Sequence, residues 1–494
     1  MIAPRSTAAR GSTVRVVGLA LLVAGAAVRG WTQVPPAVEV PRVTEVLGRP
    51  TDDSVTVNAR ADQVLEVYYE YGPAPGTYAA TTPTVTLAAF SPAEILIHGL
   101  EPDARTYFRM RYRSVGSAGP FAAGTEHSFH TQRAPGSGFR FCVQGDSHPE
   151  RAGRQFDGAL YARTLATAAA DGPDFYLTIG DDFSIDTLKT IDAASVAERY
   201  TLQLPYLALV GQSAPLFLVN GNHEQAARYL LNGTPDSPAV WAQNARNLHY
   251  PQPAPDGFYT GNAEEVAHVG LLRNRFAWTW GDALFVVIDP YWSSPVPVDG
   301  PLGGGPKTAD RWEITLGDEQ YFWLKQTLEA STARWKFVFA HHVSGTGRGG
   351  IERAGEFEWG GLDADGTWGF TRQRPTWPLP IHQLMAANGV TIFFQGHDHI
   401  FVRQELDGVI YQSLPEPADP TYTLWNADAY TSGDKAANSG YVRVTVTAAS
   451  LRVDYVKTYL PNDESTSRRN GEVAYSYSLP ETALPRPPRR HLGR

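Results

Sequence analysis

Five short apolar runs in the latter two thirds of the chain each end in residues able to bind a metal ion. Residues 139–143 lead into Gly145-Asp146-Ser147-His148, and 175–179 into Gly180-Asp181-Asp182. Residues 216–219 lead into Gly221-Asn222-His223-Glu224, 337–340 into His341-His342, and 390–394 into Gly396-His397-Asp398-His399. Such runs, bounded by turn residues, read as buried strands. Between them lie stretches with apolar residues at helical spacing: 154–170, 192–209, one opening at Gly317 and running through Tyr321, Leu324 and Leu328, and 380–388. The alternation predicts an α/β domain, in which ligand sites collect at the carboxyl ends of strands. A further strand, 283–288, ends in Asp289, which reads as a structural turn residue.

In an extended backbone, residues i and i+2 share a face. His397 and His399 are therefore expected to enter one site with Asp398 turned away. His341 and His342 are expected to face opposite ways, so that only one coordinates. A single Gly-Asp after a strand is ordinarily a turn, and a single buried His is ordinarily a hydrogen-bonded core residue. Repetition at five strand ends points instead to one metal centre assembled from the whole domain.

Upstream, residues 38–133 read as short strands separated by turns, such as 54–59 and 64–71, with alternating Phe108, Met110 and Tyr112. Residues 131–138 form the linker to the second domain, 134–460, which closes on a predicted hairpin of 441–446 and 451–456. Two long segments, 225–280 and 343–380, carry Trp241, Tyr250, Phe258, Tyr259, Trp278, Trp359 and Trp368 and are expected to roof the site. Within the second, Arg348 stands among glycines. It would either grip a phosphate bidentately or belong to a plain solvent loop. Residues 461–494 read as a partly disordered extension.

Arg5, Arg10 and Arg15 precede an apolar run at 16–28, which predicts a signal peptide over residues 1–30 and a secreted or periplasmic protein. That run is too short to span a bilayer, so no retained membrane span is expected. A single cysteine, Cys142, excludes any intrachain disulfide and reads as a core residue. The formal charge of −9, with no basic stripe, argues against a nucleic-acid surface.

The order Asp-x-His, Gly-Asp, Gly-Asn-His-Glu, His, Gly-His-x-His over residues 134–460 resembles the calcineurin-like metallophosphoesterases, and within them the purple acid phosphatase branch. That resemblance implies a four-layer αββα sandwich. The segment Gly99-Leu100-Glu101-Pro102 to Thr106-Tyr107 resembles the tyrosine corner of a fibronectin III-like sandwich, a domain that precedes the catalytic one in many purple acid phosphatases. The resemblance also implies two metal ions, Fe, Zn or Mn, which suit a donor set without thiolates. Asp146, His148, Asp181 and His399 would hold one ion, and Asn222, His341 and His397 the other, with Asp181 bridging. His223 would protonate the leaving oxygen or steady the developing charge, with Glu224 orienting it; Asn222, His223 and Arg348 would contact substrate. The implied activity is hydrolysis of phosphate mono- or diesters by a hydroxide shared between the ions. A nucleotidase or phosphodiesterase of the same fold, its aromatic loops stacking a base, is one alternative. A surface binding protein on the same scaffold is another. One departure stands out: purple acid phosphatases take a tyrosine ligand where this chain has Ser184. His148 would fill that place, and a neutral imidazole weakens the preference for Fe(III).

Overall fold

The structure, a computed structural model, describes residues 41–480 apart from 299–301, 303–307, 309 and 346. The expected signal peptide and the tail beyond 480 lie outside the described residues. Two sheets lie face to face in the catalytic half. The first has the order Leu216–Leu218, Phe175–Thr178, Phe139–Gln144, Gly440–Val446, Ser450–Lys457, Val473–Pro480. Its first three strands are parallel and the rest antiparallel. At the centre of the second sheet run Ala283–Val287, Trp335–Phe339, Ile392–Gln395 and Val409–Ser413, all parallel.

Strands buried on both faces need apolar residues at successive positions, which is why these runs lack alternation. Phe141, Phe175 and Leu177 face Phe285, Phe337, Phe339 and Phe394 across the middle of the sandwich. Phe141 meets Phe285 edge-on at 5.2 Å. The intervening Cys142 and Tyr176 face outward, against the helices Gly158–Ala170, Ala193–Leu202, Leu204–Gly211 and Pro238–His249. On the opposite side Val286, Val338 and Phe393 pack on Gly317–Ala330 and Ile381–Ala387. The result is helix, sheet, sheet, helix.

Local chemistry sets the helix bounds. Asp157 caps the first helix through the N–H groups of Ala159 and Leu160, so it starts later than the spacing suggested. The single helix expected over 192–209 is two. Pro205 lacks an N–H and cannot continue the Ala193–Leu202 helix, so a second one, Leu204–Gly211, starts around it. The closing hairpin gains a third strand, Val473–Pro480, so the first sheet runs past the expected domain end at 460.

Residues 43–130 are all β. One three-stranded sheet (Val43–Gly48, Ser54–Ala61, Ala93–His98) faces another built on Leu65–Gly72 and Arg105–Ser114. Val55, Val57, Leu65, Val67, Phe108 and Met110 fill the space between. The tyrosine whose hydroxyl reaches back to the 98–100 corner is Tyr71, donating to the His98 carbonyl at 3.1 Å, rather than the expected Tyr107. This sandwich is docked on the catalytic half. Val46 joins its helical core, Asn58 donates to the Leu248 carbonyl at 2.9 Å, and Arg133 pairs with Asp174 at 2.7 and 3.0 Å.

Four of the seven rings expected to roof the site lie in the interior instead. Tyr250, Tyr259, Trp278 and Trp359 are each at most 2 % exposed and belong to the cores. Residues 225–280 carry a helix and a central-sheet strand, Phe276–Trp280, whose aromatic side chains fill the interior. A base-stacking role for these rings has no support.

Candidate metal centre

Asp146, His148, Asp181, His223, His341, His342, His397 and His399 gather where the strands of the two sheets end. Asp146, His148 and His399 offer atoms within 4.8 Å of one another, as do Asp146, Asp181, His341 and His397. The Nε2 atoms of His148 and His399 lie 3.2 Å apart. Asp146 Oδ2 is 3.1 Å from His399 Nε2 and 3.6 Å from His148 Nε2. Asp181 Oδ2 is 3.0 Å from His341 Nε2 and 3.8 Å from His148 Nε2. Ligands on a cation with bonds of about 2.0–2.2 Å sit at such separations. Asp146 Oδ2, Asp181 Oδ2, Asn222 Oδ1 and His341 Nε2 are all buried without a hydrogen-bond partner. Buried polar atoms of this kind are costly unless an ion satisfies them. Burial alone would raise both aspartates, but the facing imidazoles, His341 first, hold them well below the usual carboxylate range. The cluster is built to stabilise positive charge.

The backbone reaches this geometry by a route that strand alternation does not describe. His148, Asp181, His397 and His399 have φ of 45°, 58°, 65° and 55°, in the left-handed region. The strands end before the ligands, at Gln144, Thr178, Phe339 and Gln395. His397 and His399 therefore both enter the site, as expected, but through left-handed turns rather than a shared pleat. His341 and His342 do not face opposite ways. The strand has ended at Phe339, and both rings lie near His397, at 5.3 and 3.6 Å between centroids. Glycine is needed where loops cross. A Cβ on Gly221 would fall 2.2 Å from Asp181 Oδ1, and one on Gly396 would fall 2.5 Å from Asp146 Oδ1.

Acceptors stand behind His341, His148, His399 and His223. His341 Nδ1 donates to the Ile179 carbonyl at 2.8 Å, which turns the lone pair of Nε2 toward Asp181. His148 Nδ1 is 2.8 Å from Glu150 and 3.3 Å from the buried Ser184 hydroxyl, so Ser184 lies behind His148 rather than among the converging atoms. Glu416 approaches His399 Nδ1 at 3.4 Å. His223 Nδ1 is 2.7 Å from Asp186, and its Nε2 is 3.8 Å from Asp181. Burial opposes a charged His223, but Asp181 and Asp186 outweigh it and lift the imidazole to about 9. Glu150 sits on the short 3-10 helix Pro149–Arg151 and Asp186 and Glu416 on loops, and the sequence did not single them out.

Glu224 does not touch His223; its carboxylate accepts the N–H groups of Gly221, Asp181, Asp182 and Phe183 at 2.6–3.0 Å and binds the two loops together. Arg348 donates to the His397 carbonyl at 2.5 Å and lies 3.4 Å from Asp398, which is turned away from the ligand cluster. Asp289 is a turn residue, holding the N–H groups of Tyr291 and Trp292 and the amides of Asn220 and Asn274.

Residues 139–401 match the family model of the calcineurin-like phosphoesterases. The chain belongs to that family. It is accordingly a metal-dependent phosphoester hydrolase, and its buried His and Asp clusters suit a pair of metal ions. No curated protein sequence matches it. Among solved structures, this phosphoesterase is similar to PhoD, with a TM-score of 0.63 at 15 % identity over 90 % of this chain and 91 % of that one. It is also similar to the purple acid phosphatase PPD1 of yellow lupin (Lupinus luteus) seeds, with a TM-score of 0.57 at 17 % identity over 89 % and 74 %. At such identities the likeness is one of fold. Among the described residues, no helix is long and apolar enough to cross a membrane.

Proposed function

We propose that the protein hydrolyses phosphate monoesters or diesters. Asp146, His148, Asp181 and His399 would hold one Fe, Zn or Mn ion and Asn222, His341 and His397 a second, with Asp181 common to both sets. The observation that carries this is Asp181 Oδ2, which stands between His148 Nε2 at 3.8 Å and His341 Nε2 at 3.0 Å, one from each set. When bound, such a pair of ions clamps phosphoryl oxygens and makes water a nucleophile near neutral pH.

The rest is done by side chains of this chain. His223, with 18 % of its side chain exposed, is more open than His148, His341 or His399, and Asp186 fixes its ring. From there its Nε2–H delivers a proton to the leaving oxygen. Asn222 and the partly exposed guanidinium of Arg348 contribute polar contacts to the phosphoryl group. Export through a leader at residues 1–30 rests on the basic-then-apolar pattern there, and a fibronectin III-like spacer role for residues 38–133 rests on their all-β character. A binding protein on a dead scaffold would have no use for so complete a buried donor set.

The test is a panel of phosphomonoesters, phosphodiesters and nucleotides, assayed before and after chelation. Activity lost on chelation and restored by Zn, Mn or Fe supports the reading. Hydrolysis that survives complete metal removal would refute it.

A further inference from the structure

Beside the metal centre lies a cavity of about 560 Å³ lined in part by Glu150, Arg151, Arg154, Thr187, Lys189 and Arg199. It adjoins the centre through Glu150 and, one residue removed, through Thr187. Glu150 holds His148 Nδ1 at 2.8 Å, and Thr187 follows Asp186, which holds His223 Nδ1 at 2.7 Å. Four cationic side chains face one carboxylate here, on a chain whose formal charge is −9. That carboxylate is already engaged: besides His148, it has Arg151 at 3.6 Å and Arg199 at 3.5 Å. Arg199 also donates to the Thr187 hydroxyl at 3.3 Å, which fixes it on the cavity wall. Arg154 and Lys189 are exposed and form no ion pair among the described residues. Gathering like charges is unfavourable unless an anion comes among them.

Resting on the phosphoesterase reading, we infer that this cavity receives a second anionic group of the substrate. With the scissile phosphate at the metal centre, a further phosphate or carboxylate on the same molecule reaches past His148 to Arg154 and Lys189. Arg151 and Arg199 complete the positive wall. The preferred substrates are thus esters with two anionic groups, and the cavity sets specificity without touching the reacting atoms. A free inorganic anion has the same chemistry, and the test separates the two.

The metal-loaded enzyme is assayed by phosphate release on fructose 6-phosphate, fructose 1,6-bisphosphate and p-nitrophenyl phosphate, alongside the Arg154→Gln/Lys189→Gln double variant. The wild type should favour the bisphosphate. The double substitution should lower kcat/KM for it, chiefly through KM, about tenfold more than for the monophosphate, as loss of charge-assisted contacts implies. Equal losses on the two sugars, or hydrolysis of p-nitrophenyl phosphate with no preference for the bisphosphate, would overturn the inference alone. Added sulfate that raises monophosphate turnover in the wild type but not in the double variant would also overturn it, assigning the cavity to a free anion. Failure on all three, and on the diester bis(p-nitrophenyl) phosphate as well, would remove the phosphoesterase reading too.

Discussion

His223 has a carboxylate behind it, as His148 and His399 do, but is more exposed than either of them or His341. It contributes no atom to the set proposed for either ion, so His223→Ala should keep its metal while turnover falls by roughly 10²–10⁴-fold, the range for a lost general acid. The loss should shrink on substrates whose leaving group needs no proton; equal losses on good and poor leaving groups would point to charge stabilisation instead. His341 and His342 offer a sharper contrast. Both rings stand close to His397, but His341 has its Nδ1 committed to Ile179 and its Nε2 on Asp181, whereas His342 Nδ1 is paired with the Tyr291 hydroxyl. His341→Ala should lose about one metal per chain and His342→Ala none, read by elemental analysis; equal or reversed loss would reassign the ligand. The motif residues were legible because glycine, aspartate and histidine recur beside apolar runs. Asp186 and Glu416 were not, since their partners lie across loops that no spacing rule connects, and Glu150 meets His148 two residues back only through a tight turn.

At the level of elements, the strands were readable because burial on both faces demands unbroken apolar runs. Their ends were not. Four of the seven proposed ligands sit at positive φ, a conformation costing each about 1 kcal/mol or more outside glycine. Only the surrounding turns and close glycine contacts hold them there, and an i, i+2 argument cannot foresee that. The split at Pro205 was visible in principle, because proline starts helices more readily than it continues them. In the N-terminal sandwich, Glu45 on one sheet accepts from the Tyr69 hydroxyl on the other at 2.6 Å. Burial raises the Glu45 carboxyl from 4.5 to about 7, against the opposing Tyr69 hydrogen bond. The folded protein therefore keeps a proton that the unfolded chain has lost. The associated stability is full below about 4.5 and disappears as pH rises through about 7. Glu45→Gln imitates the protonated form and still accepts from Tyr69. It should raise thermal stability by about 1–2 kcal/mol at pH near 8 and leave it unchanged near pH 4. A gain equal at both values would mean that the carboxyl is not held protonated.

On the scale of the whole molecule, the two facing sheets exist to bring five loops to one point, and the sandwich at residues 43–130 is docked onto that body rather than hung from it. The αββα layering came from the family resemblance more than from periodicity. Alternating strands and helices indicate an α/β fold, but not how many sheets share the strands. The docking was illegible, since it depends on scattered pairs such as Asn58 with Leu248 and Arg133 with Asp174. The proposed activity requires two cations sharing Asp181. Metal-to-protein stoichiometry, measured on the purified wild type and on Asp181→Asn, tests this most directly. The wild type should carry two tightly bound ions per chain. The variant should lose affinity for both, because a neutral amide cannot serve two cations at once. One ion or none in the wild type, or two tightly held ions with normal turnover in the variant, would contradict it.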